Sequence, residues 1–197
     1  MKKLLPLLSI GTLLVPLFAL ATPALALPGQ STEEVEAWMQ GHDTLQPLPG
    51  ERLMVRKNSS AAQRFSFQAS IFSPGLVSPA PDRGTIRTET LTFFDIPNGV
   101  SLERLEESLR VIYGLDIYQD FNNAQVTFKY PGPVDVAQSQ NRRTPLQAAR
   151  RGEVRYGDRF AYWYEIAQPE EGKAIAGQII VFLKEDIDKV ERELRNR

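Results

Sequence analysis

The sequence predicts an α+β fold, an antiparallel β-sheet built from hairpins and packed against one main helix at about 101–113, with short N- and C-terminal helices. Three observations predict it. Residues 64–72 alternate, with Phe65, Phe67, Ala69 and Ile71 on one side and Arg64, Ser66, Gln68 and Ser70 on the other, which is the period of a half-buried strand. Ser101 precedes Leu102, Leu105, Leu109 and Ile112 at helical spacing, and Gly114 closes the run. The strands elsewhere are separated by short turn signals, with helices interposed singly, which favours hairpins over parallel crossovers.

The elements follow in order. Ser31 and Glu34 form a capping box ahead of Val35, Trp38 and Met39, and Gly41 stops the chain, so residues 32–40 read as a first helix. The Gln46–Gly50 stretch punctuates a linker, and Leu53 and Val55 mark a brief strand. Residues 73–84 hold three prolines and two glycines and read as a surface loop, followed by a third strand over 85–95. After the main helix, Leu115–Phe121 and Ala124–Tyr130 flank Asn122-Asn123 and predict a hairpin. Residues 131–143 read as loop, and Thr144-Pro145 opens a helical turn that Gly152 ends. A second hairpin pairs the strand at 160–166 with the one at 177–183. Glu185–Arg197 forms a closing helix with a narrow stripe of Ile187, Val190 and Leu194 and charge pairs four residues apart.

The N-terminus carries an address. Lys2 and Lys3 precede an apolar stretch from Leu4 to Ala21, and Ala24-Leu25-Ala26 presents small residues where a signal peptidase cuts, so residues 1–26 read as a secretory signal peptide. Because no charge occurs from Leu4 to Pro28, an uncleaved anchor is the alternative, against which Pro6, Pro16 and Pro23 weigh. The expected organisation is therefore a signal peptide over 1–26, an N-terminal helix with a Pro/Gly-rich linker over 27–50, and a single α+β domain over 51–197. The expected location is the periplasm or the extracellular space.

Composition removes whole classes of chemistry. With no cysteine, disulfides, thiolate metal sites and thiol catalysis are excluded, and the single histidine excludes a His-rich metal site. There is no G-x-S-x-G elbow, S-x-x-K, phosphate-binding loop or dinucleotide fingerprint. His42 follows a helix end, where its position suits the helix dipole better than a catalytic triad. Carboxylates alone can hydrolyse a glycosidic bond, and Asp116, Asp120 and Glu165 are the candidates, Glu165 lying among aromatic residues. Glu185, Asp186 and Asp188 lack the spacing of a calcium loop and suit a helix N-terminus. No catalytic residue, metal ligand or cofactor is assigned.

Charge is unevenly spread. Arg142, Arg143, Arg150, Arg151, Arg155 and Arg159 stand against only Glu153 and Asp158, whereas residues 31–51 hold five acids and no lysine or arginine. Guanidinium forks bind carboxylates and phosphates bidentately. Next to them, Tyr162 and Tyr164 point to one side of a strand and Trp163 to the other, so the three cannot form one stacking platform. The expectation is an exported, non-enzymatic envelope protein that binds an anionic ligand or protein partner through the six arginines and Trp163. The alternatives are a carboxylate-dependent hydrolase of polysaccharide and a structural subunit of an envelope assembly. Removing residues 1–26 leaves 21 basic against 24 acidic residues, a charge of −3, which argues against nucleic acid as the partner. A membrane is expected to be touched only by an uncleaved N-terminal segment.

Overall fold

The computed structural model describes residues 27–76, 82–132, 149–168 and 172–196. Seven strands among these residues form one sheet: β1 (Met54–Ser60), β2 (Gln63–Ser70), β3 (Thr88–Asp95), β4 (Gln125–Tyr130), β5 (Arg150–Tyr156), β6 (Ala161–Ala167) and β7 (Ala176–Phe182). Their spatial order is β1-β2-β3-β7-β6-β5-β4, and every neighbouring pair is antiparallel. Among the described residues four helices accompany it: α1 (Thr32–Gly41), α2 (Leu102–Tyr113), α3 (Leu115–Asn123) and α4 (Ile187–Arg195), the last entered through a 3₁₀ turn at Lys184–Asp186. The α+β architecture is the one the sequence predicts.

Alternation along the strands sorts the core into two layers. Phe67, Ala69, Leu91, Tyr162, Tyr164, Ile179 and Val181 face α1, α2 and α3, whose Val35, Met39, Leu105, Leu109, Ile117 and Phe121 are fully buried. Removing such a side chain from water is worth about 1.5–3 kcal/mol each before ordering entropy is subtracted. The opposite face holds a smaller cluster, in which Val154, Ala161, Trp163, Ile180 and Phe182 meet Val190 and Leu194 of α4. The stripe expected on the last helix is therefore its docking face, and Glu191–Arg195 forms as the expected pair at 3.0 Å.

The caps also form as the sequence implies. Ser31 and Glu34 complete a reciprocal capping box on α1, and the Ser101 hydroxyl accepts the Arg104 N–H at the start of α2. The segment before α1 is stitched to the sheet side by Gly29 N–H to Ile86 O and Ile86 N–H to Gln30 O.

Two expectations are corrected. Residues 115–121 form not a strand but most of α3, because Ile117 and Phe121, four apart, bury together, while the Asp120 carboxylate is drawn inward. Gly114, at φ 85°, lets the chain swing from α2 into α3, a backbone state that costs a glycine little. Gly152 does not end a helical turn; it sits inside β5 opposite Glu165, and residues 144–148 of that expected turn lie outside the described residues. A side chain at 152 would meet the Tyr130 ring, since a Cβ there would stand 2.5 Å from Tyr130 Oη.

Among the described residues, Glu89 is a carboxylate buried in the main core without a charged partner. Glu89 of β3 is fully buried between Ala69 and Val181, and neither its carboxylate oxygens nor the Tyr113 hydroxyl makes a hydrogen bond of good geometry. Burial pushes the Glu89 carboxyl up to about 8, and burial together with Glu89 drives the Tyr113 hydroxyl higher than usual.

Candidate functional site

Strand register aligns side chains across the second sheet face. One row reads Asn58, Arg64, Phe94, Ala176, Ala167 and Arg150, from β1 to β5. The next reads Arg56, Ser66, Thr92, Gln178, Glu165, Gly152 and Tyr130. Helix α4 covers the apolar rows beyond these two, so among the described residues no helix lies over them.

The first row makes a trough with a guanidinium at each side. Arg64 lies over the Phe94 ring, with Cζ 4.5 Å from the ring centroid, and so leans from β2 towards the centre of the sheet. Arg150 leans in from the other side, its Nη1 4.0 Å from Glu165 Oε1. Between them the floor is Ala176 and Ala167, which project no further than Cβ. The Arg150–Glu165 contact is long and the arginine is about half exposed (53%), so the pair contributes little stability and leaves the guanidinium accessible.

Glu165 is held in place from beneath. The Tyr130 hydroxyl donates to Glu165 Oε2 at 2.7 Å, and the Trp163 indole N–H donates to the Tyr130 oxygen at 2.8 Å. The absence of a side chain at Gly152 is what lets the Tyr130 ring cross β5 to reach that carboxylate.

The six arginines expected to act together do not share a surface. Arg150 is on the trough. Arg151 and Arg155, one and five residues further, alternate with it and belong to the face that α1, α2 and α3 pack against, and Arg159 sits in the turn between β5 and β6. Arg155 is bound to Glu153 at 2.9 Å and stacked 4.4 Å from the Phe121 ring centroid, which makes it part of the α3 packing. Arg159 lies over its neighbour Phe160, while its backbone N–H goes to Asp120. Arg142 and Arg143 lie outside the described residues. Trp163 is 3% exposed beneath α4, so it packs and offers no open ring face. Among the described residues Glu36, one of the acids of 31–51, pairs locally with Arg52 at 2.7 Å, and none of these acids forms a salt bridge with this segment.

The trough residues that the arginine count overlooked are Arg64, Phe94, Ala167 and Ala176. Alternation already put Arg64 on the outer side of its strand. What was lacking was the strand order that brings β2 and β5 to opposite sides of β3, β7 and β6.

Among the other candidates, Asp120, His42, Glu185 and Asp186 serve the fold. Asp116 is on α3 and Glu165 points to the opposite sheet face, so the two carboxylates do not converge. Asp120 is buried and accepts hydrogen bonds from the backbone N–H groups of Asp158, Arg159 and Phe160 and from the Tyr162 hydroxyl. His42 accepts the Thr44 N–H at Nδ1 and, as the Nε2–H tautomer, donates to Ile112 O at 3.2 Å, tying the end of α1 to α2. Arg87 grips Glu185 at 2.5 Å and Asp186 at 2.9 Å. Among the described residues no group of three His, Cys, Asp or Glu side chains is placed to hold a metal ion, and no helix is long and apolar enough to cross a membrane.

Comparison with known families, with curated proteins and with solved structures finds no match to this chain.

Proposed function

We propose that this chain is an exported, non-enzymatic envelope protein that binds an anionic ligand, or the acidic face of a partner, on the trough between Arg64 and Arg150. The observation that carries this reading is the pair of guanidiniums leaning from opposite sides towards a floor of two alanines, on a part of the sheet that α4 leaves open. Arginine is suited to the task, because its planar fork meets a carboxylate or phosphate with two parallel hydrogen bonds. The separation of Glu165 from Asp116 supports binding over hydrolysis, and the burial of Val190 and Leu194 removes the apolar helix face that a structural subunit would present. Export rests on Lys2, Lys3, the apolar stretch and Ala24-Leu25-Ala26.

The test is titration of the purified protein with polygalacturonate, polyglutamate and polyphosphate at low and high salt. At least one is expected to bind in a salt-sensitive manner, with Arg64→Glu weakening it by about tenfold or more, equivalent to about 1.4 kcal/mol. Equal binding by the wild type and Arg64→Glu would overturn the assignment.

A further inference from the structure

We infer that the ligand of this trough is an extended acidic polysaccharide lying across the strands, with one sugar unit per strand from Arg64 to Arg150. The inference rests on the anion-binding reading above and deepens it.

In spatial order β2 and β5 are separated by β3, β7 and β6, four strand steps of about 4.8 Å, so the backbone positions of the two arginines lie about 19 Å apart. A lone phosphate or carboxylate can engage one guanidinium at a time. A chain that repeats its acids engages both, and the second contact forms at the high effective concentration set by the first.

The repeat favours sugars over peptide. A 1→4-linked pyranose chain advances by close to one strand spacing per unit, so successive rings stay in step with β2, β3, β7, β6 and β5. An extended peptide advances about 3.3–3.6 Å per residue and drifts out of step with the strands. The surface is also suited to rings: Ala176 and Ala167 carry no side chain beyond Cβ, and the adjoining row offers Ser66, Thr92 and Gln178, whose hydroxyl and amide groups both donate to and accept from sugar hydroxyls, beside a Glu165 carboxylate that accepts from Tyr130 and faces Arg150. The two guanidiniums lean inward from the ends, Arg64 over Phe94 of β3 and Arg150 beside Glu165 of β6, so uronate carboxylates on units two strand steps apart would meet them.

The experiment is calorimetric titration with galacturonate oligomers of two, four, six and eight units at low salt, using the wild type and Arg150→Glu, with the melting temperature of both proteins as the folding control. The account predicts a rise of about tenfold or more in affinity between two units and the length that spans the trough, then a plateau; in Arg150→Glu the long oligomers bind only as the shortest does. Affinity that does not change with length, or rises equally in Arg150→Glu, overturns the span and leaves the anion site in place. Binding of polyphosphate or polyglutamate without binding of any galacturonate oligomer overturns the polysaccharide assignment alone. If none of the three polyanions binds, the anion-binding reading fails as well.

Discussion

The Tyr162 hydroxyl donates a 2.6 Å hydrogen bond to Oδ2 of Asp120, fastening the centre of β6 to α3 across the main core. The same carboxylate takes the N–H groups of Asp158, Arg159 and Phe160 at 2.8–3.3 Å, so one side chain satisfies the turn between β5 and β6. Burial and the Asp120 charge both keep the Tyr162 hydroxyl protonated, and hence a donor. Tyr162→Phe is expected to cost about 1–3 kcal/mol in urea unfolding, because Asp120 keeps its other donors. Asp120→Ala orphans three backbone donors and is expected to cost more. The reverse ranking would show that the turn does not depend on this carboxylate.

Glu89 predicts a stability that falls as pH rises. Its ordinary value is 4.5 and burial in the native core raises it to about 8, so between those limits the folded protein holds a proton that the unfolded chain has released. The contribution is therefore complete below about pH 4.5 and is eroded steadily up to about pH 8. Glu89→Gln removes this slope. Melting temperatures measured from pH 5 to 9 should show the variant gaining on the wild type towards the alkaline end. Parallel profiles would mean that Glu89 is solvated or paired in solution.

Gly152→Ala is expected to destabilise by about 1–3 kcal/mol, since overpacking at a crossing with no free space forces either the strand or the ring aside. Displacing Tyr130 also takes the hydroxyl from Glu165 and the acceptor from the Trp163 indole. A changed near-ultraviolet circular dichroism signal should accompany the lower stability. An unchanged spectrum would contradict the contact.

Trp163 and Arg64 should separate cleanly. Trp163→Ala empties the cluster under α4 and is expected to cost about 3–5 kcal/mol. Arg64→Glu, on the open face, is expected to stay within about 0.5 kcal/mol of the wild type. Chemical denaturation of both variants checks this. Comparable losses would mean that Arg64 is part of the packing.

Most of the fold is legible where one periodicity dominates. The 64–72 alternation, of which β2 takes 64–70, the Ser101-capped stripe and the Ser31 capping box each admit one reading, and each yields the expected kind of element. Residues 115–123 fail because Leu115, Ile117 and Phe121 satisfy both periods: every second position for a strand, and a four-residue step for a helix. The helix wins through tertiary contacts, above all the pull of the β5–β6 turn on Asp120. Residues 150–156 fail for a different reason. Their alternate positions are Arg150, Gly152, Val154 and Tyr156 against Arg151, Glu153 and Arg155, with too few apolar side chains to mark a strand, and Gly152 reads as a stop until Tyr130 is seen crossing it.

The site was legible only in part. Counting arginines along the chain finds Arg150 but cannot know that its neighbours Arg151 and Arg155 turn to the other face and that Arg155 is absorbed by Glu153 and Phe121. Linear clustering measures charge along the chain, whereas binding depends on which faces the pleat assigns and which strands the topology places side by side.

Arg150 and Arg151 therefore provide the most direct test of the central claim, being adjacent in the chain, of equal charge and on opposite faces of the sheet. Affinity for the anionic polymer that binds the wild type should be measured for Arg150→Glu and Arg151→Glu side by side. The account predicts a loss of about tenfold or more for Arg150→Glu and little change for Arg151→Glu. Equal losses in the two variants would show that binding follows overall charge and not the trough, and would contradict it.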